Sequence, residues 1–393
     1  MKKTLAAIAV LGAFAGSSLA ADVQLYGIVD TGIGYNHVDA DGLGDDSDSL
    51  GMASGQASGS RFGFKGTEDL GNGLKVGFIL ENGINSDDGS DSGVFFNRES
   101  SLFLQGGLGK IAFGRMGALN NGQSSWAKVG MISAFGTSDW GGYSAQLSNI
   151  MALSGQWDNM IAYETPDFAG FKVYAQYAMG NQVEGDDEKL HGEENESSSD
   201  RFYSIGVTYN NGPLAGYFAV DSINYASTVY NYNSEERFVD MDDSLTITLG
   251  GSYDFEVAKV YLGAQYFDEV KLTSLGGVIN DVVDLEAKNK VKGYSVSLSA
   301  DAPLGGGRAM FGLGYVDAES SDSFEDRRGN TMDFKRYVVS VGYDYPFSKR
   351  TDVYAVAAYM QDQWERDYAN PGKKDEDADP SAYTFYVGLR HKF

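Results

Sequence analysis

The stretch Tyr294-Ser295-Val296-Ser297-Leu298-Ser299-Ala300 puts a large or apolar side chain at every second position and serine between them. Successive side chains of a β-strand point to opposite faces, so this segment has one greasy face and one wet face. Three other stretches repeat the pattern. Tyr203, Ile205, Val207 and Tyr209 alternate with Ser204, Gly206 and Thr208. Leu245, Ile247 and Leu249 alternate with Thr246, Thr248 and Gly250, and Tyr337, Val339, Val341, Tyr343 and Tyr345 with Val338, Ser340, Gly342 and Asp344. The composition agrees: 51 Gly, 25 Tyr and 22 Phe against 6 Pro favour many strands joined by tight turns.

The connections alternate too. Short ones are Asp69 to Gly73, Gly106 to Gly109, Asn210 to Pro213, Pro303 to Gly307 and Phe347 to Arg350. Long, acidic, Gly/Ser/Asn-rich ones run from Asp39 to Gly55, Gly180 to Asp200, Asn231 to Asp243, Glu319 to Asp333 and Asp367 to Pro380. Short turn, long loop, short turn is the signature of an antiparallel up-and-down β-barrel whose two ends face different media. The count comes to about sixteen strands, an even number as bacterial barrels have. Alternation lapses for longest between Gly117 and Gly155, and an insertion of that kind usually has a function. A soluble β-sandwich would spread its aromatics through a core. Here Tyr343, Tyr345 and Phe347, or Tyr383 and Phe385, gather near strand ends, as in the aromatic girdles of a membrane interface. Polar inner faces in a barrel this wide imply a water-filled channel.

The first residues address the compartment. Lys2 and Lys3 precede an apolar stretch from Leu5 to Ala15, and Ser18-Leu19-Ala20 supplies the small-x-small pattern of a signal-peptidase site. The apolar stretch is shorter than the roughly 20 residues of a membrane-spanning helix. The expected organisation is a signal peptide over residues 1–20, cleaved after Ala20, and a single barrel domain over 21–393. With no Cys and 3 His, disulfides, thiolate metal sites, cysteine nucleophiles and multi-histidine centres are excluded or disfavoured. A net charge of −25 disfavours nucleic acid. His37, His191 and His391 have no nucleophile motif around them, so no catalysis and no cofactor are expected.

The final segment, Tyr383 to Phe393, again alternates, and a chain stopping on an aromatic there looks like the terminal signal read by the outer-membrane barrel assembly machinery. Further pieces follow one another along the chain: Val23 to Asp30, Ser60 to Gly73, Asn97 to Ser100, Gly109 to Arg115 and Ser348 to Tyr354. Together, in this order and spacing, they make the sequence similar to the trimeric general porins of Gram-negative bacteria over nearly its whole length. The resemblance implies a 16-stranded barrel in the outer membrane, a homotrimer, and a third external loop folded into the lumen as a constriction, here Gly117–Gly155. It implies passive diffusion of ions and small hydrophilic solutes, with lipid and lipopolysaccharide as surroundings. A substrate-specific channel, for example for sugars, and a surface receptor or adhesin barrel are the alternatives.

In that family basic side chains on the wall face acidic groups of the folded loop. Parity assigns the basic ones. In Arg61-Phe62-Gly63-Phe64-Lys65 the two Phe face outward, so Arg61 and Lys65 face inward, and Lys75 does so by the same logic. A charge facing lipid at mid-membrane costs about 2–4 kcal/mol. Arg98 and Arg115 enter through the resemblance alone, each sharing parity with apolar neighbours. Related porins often carry a further basic residue where this chain has Ala112, which implies a thinner ladder. Asp139 is the only carboxylate and Lys128 the only cation between Gly117 and Gly155; Trp126 and Trp140 either pack that loop or line a vestibule. The acidic runs Gly185 to Glu188 and Lys374 to Asp377 form a solvated rim open to non-specific divalent cations. Asp41 to Asp48 has the composition of a calcium loop without its spacing. Tyr26, Tyr174 and Tyr386 fall on wet faces, too scattered for a sugar track.

Overall fold

The computed structural model describes residues 22–393 apart from 92, 181–198, 226–227, 233–234, 240–241, 283–289, 322–330, 369–371 and 373. The signal peptide, Ala20, His191 and the run at 185–188 lie outside the described residues. In chain order the strands are β1 (Gln24–Asp39), β2 (Ser47–Ser54), β3 (Arg61–Gly71), β4 (Leu74–Gly83), β5 (Glu99–Gly106), β6 (Gly109–Gly117), β7 (Gln156–Glu164), β8 (Phe171–Ala178), β9 (Arg201–Asn211) and β10 (Leu214–Asn224). They continue with β11 (Thr228–Tyr232), β12 (Glu235–Val239), β13 (Ser244–Asp254), β14 (Lys259–Lys271), β15 (Lys290–Leu304), β16 (Gly307–Ser320), β17 (Thr331–Pro346), β18 (Thr351–Asp367), β19 (Glu376–Ala378) and β20 (Ser381–Lys392).

Chain neighbours pair antiparallel, and β1 pairs with β20 from Ile28↔Lys392 to Asp39↔Ser381, which closes the sheet. β2 and β3 are one stave interrupted at residues 55–60: β2 pairs with the far half of β1 and β3 with its near half. β11 and β12 form a separate hairpin, and β19 is a short strand on β18. The barrel therefore has sixteen antiparallel staves. Among the described residues no helix is long and apolar enough to cross a membrane.

Two expectations for the long connections are corrected. Asp39 to Gly55 is not all loop, because Ser47–Ser54 continues the alternation on the far half of β1. Asn231 to Asp243 contains part of the β11–β12 hairpin. Gly/Ser-rich composition hid the first, and the charged run from Glu235 to Asp243 hid the second.

The serine segment shows how the wall works. Tyr294, Leu298 and Val296 are exposed on the outer face, while Ser295, Ser297 and Ser299 are each about 1% exposed. Phe311, Leu313, Val339, Val341, Phe385, Val387 and Leu389 continue the apolar exterior. Aromatic pairs mark its two borders. Near the short turns lie Phe171 with Tyr209 and Tyr253 with Phe255; near the long loops lie Tyr177 with Tyr203 and Tyr315 with Tyr337. Tyrosine suits such a border because its ring is apolar and its hydroxyl is wet. The C-terminal Phe393 exchanges backbone hydrogen bonds with Gly27 at 3.1 and 3.2 Å, extending the closing ladder by one residue.

Candidate pore and its charges

The small side chains of the inner face are buried by residues 118–155. Backbone amides of that segment donate to wall side chains on strands far apart around the barrel: Ala134 to Ser299 Oγ (2.9 Å), Ala145 to Ser340 Oγ (2.7 Å), Ala152 to Gln265 Oε1 (2.7 Å) and Leu119 to Gln176 Oε1 (3.0 Å). Thr384 Oγ1 donates to the Gly141 carbonyl at 2.9 Å, and Asn120 Nδ2 reaches Asp221 at 2.7 Å and Thr248 at 3.0 Å. Between these bonds its apolar side chains seat on glycines. A Cβ at Gly312 would stand 2.9 Å from the Ala145 methyl and from the Phe135 ring, and one at Gly250 2.9 Å from Ile132. Trp126 and Trp140 are 1% and 3% exposed, so both pack the segment rather than line a vestibule. The Trp140 indole donates to the Phe135 carbonyl at 2.7 Å and stands edge-on to Tyr354.

Packed against the wall from β8 round to β20, the segment leaves space beside β1, β3, β4 and β5. There a cavity of about 420 Å³ is bounded on the wall side by Tyr26, Arg61, Lys65, Glu81, Arg98 and Glu99, and on the loop side by Gly122–Ser125 and Thr137–Asp139. Glu81 is its charged centre: it accepts from Arg98 Nε at 2.6 Å and the Tyr26 hydroxyl at 3.0 Å, and pairs with Arg61 Nε at 3.4 Å. Arg98 also donates to Gln123 Oε1 at 2.8 Å, and Glu99 accepts from the Ser125 amide at 2.8 Å. One end of the loop is thereby clamped to the basic wall. The other is clipped to the break between β2 and β3, where Trp140 N donates to the Gln56 carbonyl at 2.8 Å. Asp139 is exposed to the cavity at this clip, and the protein packed nearby pushes its carboxyl above the usual carboxylate range.

Of the residues singled out by sequence, Arg61, Lys65, Arg98 and Asp139 come together in this cavity. Lys65 lies 4.9 Å over the Tyr26 ring. Lys75 shares the parity of Ile79 and Glu81 but sits exposed at the first turn, away from the cavity. Arg115 is a correction. It stands opposite Ser100, on the face of the exposed Leu102 and Phe113, and pairs with Asp158 at 2.6 Å. Alternation along β6 puts it on the opposite face from the inward Ala112 and Met116. Lys128 lines a different cavity, with Lys172 and Tyr174, on the turn side of the loop.

Sequence reasoning missed the carboxylates of the wall, Glu81 and Glu99, and two arginines. Arg390 bridges Asp344 (3.1 Å), Asp352 (2.9 Å) and Ser58 Oγ (2.9 Å). Arg336, fully buried, pairs with Asp362 at 2.7 Å and donates to the carbonyls of Asn149, Leu275 and Gly276. Both lie on the wet parity of their strands, the signal that marks them. His37 pairs with Asp48 at 3.0 Å and His391 with the Thr351 hydroxyl at 2.9 Å. Tyr26 lines the cavity, Tyr174 is buried near Thr208, and Tyr386 stacks on Tyr354, so the three form no common track. Among the described residues no group of three or more His, Asp or Glu is arranged to hold a metal; Asp46 and Asp39 instead cap the backbone of Ala40 and Asp41.

The family model for Gram-negative porins matches residues 5–363. The chain belongs to the Gram-negative porins. This porin is 34% identical to an outer-membrane porin of Bordetella pertussis (strain Tohama I) and 31% identical to outer membrane porin protein 32 of Delftia acidovorans, each over the whole of both chains. Its backbone resembles that of the anion-selective porin from Comamonas acidovorans, with a TM-score of 0.65 at 28% identity, covering 95% of this chain and 100% of that one. It is a transmembrane protein of the outer membrane, and its family is one of channels rather than of enzymes.

Proposed function

We propose that this porin is a general diffusion channel whose narrowest passage is the cavity between the Arg61–Lys65–Arg98 wall and residues Thr137–Asp139 of the folded third loop. The observation that carries the reading is that cavity, in which basic wall groups face the one carboxylate of the loop across open space. A transverse field of this kind orders water and ions without binding them tightly, so passage is passive and weakly selective. The related anion-selective porin favours anions at the passage, where Arg61, Lys65 and Arg98 stand against Glu81, Glu99 and Asp139, while the chain's net charge of −25 supplies an acidic surface elsewhere. The working unit is a homotrimer assembled with its C-terminal Phe393 as signal, after removal of residues 1–20 at Ala20. It runs without cofactor or catalysis, and its rim takes divalent cations and lipopolysaccharide only non-specifically.

Swelling of vesicles containing the purified protein in uncharged sugars tests this. Influx that falls smoothly with solute size, indifferent to stereochemistry, is expected. Saturable or stereoselective influx would make it a substrate-specific channel, and none at all would move the reading to a receptor.

A further inference from the structure

The passage does not contain all of the lumen's cations. Below the loop, on the side of the short turns, a second cavity of about 450 Å³ is lined by Lys128 from the loop, Lys172 and Tyr174 from β8, and Thr208 and Asn210 from β9. Lys110, at the start of β6, stands beside this part of the loop, over the ring of Trp126 two residues before Lys128. Their placement is unusual for lysines. Lys110 lies over the Phe103 ring at 4.5 Å and the Trp126 ring at 4.7 Å, and Lys128 lies 5.5 Å from the Tyr174 ring. Lys128 donates to the Ser125 carbonyl at 2.8 Å. Among the described residues only Lys172 of the three is ion-paired, to Glu164 at 2.8 Å. Two further carboxylates bear on the lysines: Asp167 lines the cavity and accepts from the Gly170 amide in its own turn, and the charge of Glu99 acts on both Lys110 and Lys128.

Lys110 and Lys128 have no ion-pair contact among the described residues, and Lys128 also loses water to burial, which lowers its ammonium below the usual lysine range. Such an arrangement is relieved by an anion among them. We propose that Lys110, Lys128 and Lys172 form a second anion station of this channel, on the turn side of the constriction, that holds small doubly charged oxyanions. The Thr208 hydroxyl and Asn210 amide on its floor supply hydrogen bonds to oxyanion oxygens, and the aromatic rings hold the lysine stems in place. Anions then cross in two steps, from the arginine wall to the lysine shelf.

The inference rests on the channel reading, and one experiment separates the two. Chloride current through single channels is recorded with and without inorganic phosphate. Steps in chloride alone test the channel. Block by added phosphate tests the shelf. Lys128→Gln is expected to raise the half-blocking phosphate concentration about fivefold, and Lys128→Gln with Lys172→Gln further still, as removing each charge near an anion weakens binding. Lys75→Gln, exposed at the first turn, is expected to leave it unchanged. Lys128 sits in the loop, so its variant leaves the strand pairing intact, and an unchanged folded-to-unfolded shift in gel mobility on heating confirms folding. Phosphate block that is absent, unmoved by both lysine variants, or abolished by Arg61→Gln alone overturns the proposal.

Discussion

Glu81 is held by three donors, and its charge is set against two arginines rather than one. Both it and Arg98 are about one-tenth exposed, so neither is a surface ion pair. Arg98→Gln leaves that carboxylate with Arg61 alone. The permeability ratio should move toward cations by about fivefold, read from reversal potential in a salt gradient. The same change should lower barrel stability by about 3 kcal/mol, read from the folded-to-unfolded shift in gel mobility on heating. Asp139 predicts the opposite sign. Because its carboxyl is raised, acidification from neutral pH neutralises it before an ordinary carboxylate, so the reversal potential moves toward anions as pH falls. Asp139→Asn should show that shift already at neutral pH and flatten its early part. Arg61, Lys65 and Asp139 were legible because parity and loop position are sequence properties. Arg115 was misplaced by the resemblance and not by parity, since it stands on the face of the exposed Phe113 with which it shares parity.

At the scale of elements, the strands were legible and the loop's path was not. A period of two announces a strand wherever one face meets lipid, and lengths of 16 and 17 residues in β17 and β18 leave long runs to read. Residues 118–155 carry no period, since Leu119, Ile132, Phe135 and Ile150 are spaced by the wall they meet. The glycines and serines of that wall were visible as a wet face; their use as a docking surface was not. Arg336 fixes the result. It holds Asn149 of the loop together with Leu275 and Gly276 of the connection after β14, and Asp362 completes the pair by accepting from the Ile279 amide at 3.0 Å. Arg336→Met frees three carbonyls and strands a buried carboxylate, at a cost of about 3–5 kcal/mol. Hydrogen exchange of the amides from Ala145 to Ala152 should accelerate, and single-channel current should become noisy, while amides of β1 and β20 keep their protection.

For the whole molecule, the barrel inverts a soluble protein: apolar side chains outside, and inside a core that the loop builds against polar walls. Leu298 is 42% exposed in the middle of the outer belt. Leu298→Arg should cost about 2–4 kcal/mol and reduce folding yield into vesicles, whereas the buried Ser297 next to it faces the loop and answers to packing instead. The general plan, sixteen staves and an outer-membrane address, was readable from alternation, turns and chain ends. The position of the open passage was not, because it is whatever space the loop leaves, and that depends on contacts between residues hundreds of positions apart. The chain has no cysteine, so one introduced at the passage reports on it alone. Ser138→Cys places a thiol on the loop side of the cavity. The decisive measurement is single-channel current of this variant before and after a charged thiol reagent, with the extent of labelling read by mass. Open steps that fall by more than about half on modification are predicted for a passage this narrow. Steps left untouched by complete labelling of that thiol would contradict the account, because ions would then be crossing elsewhere.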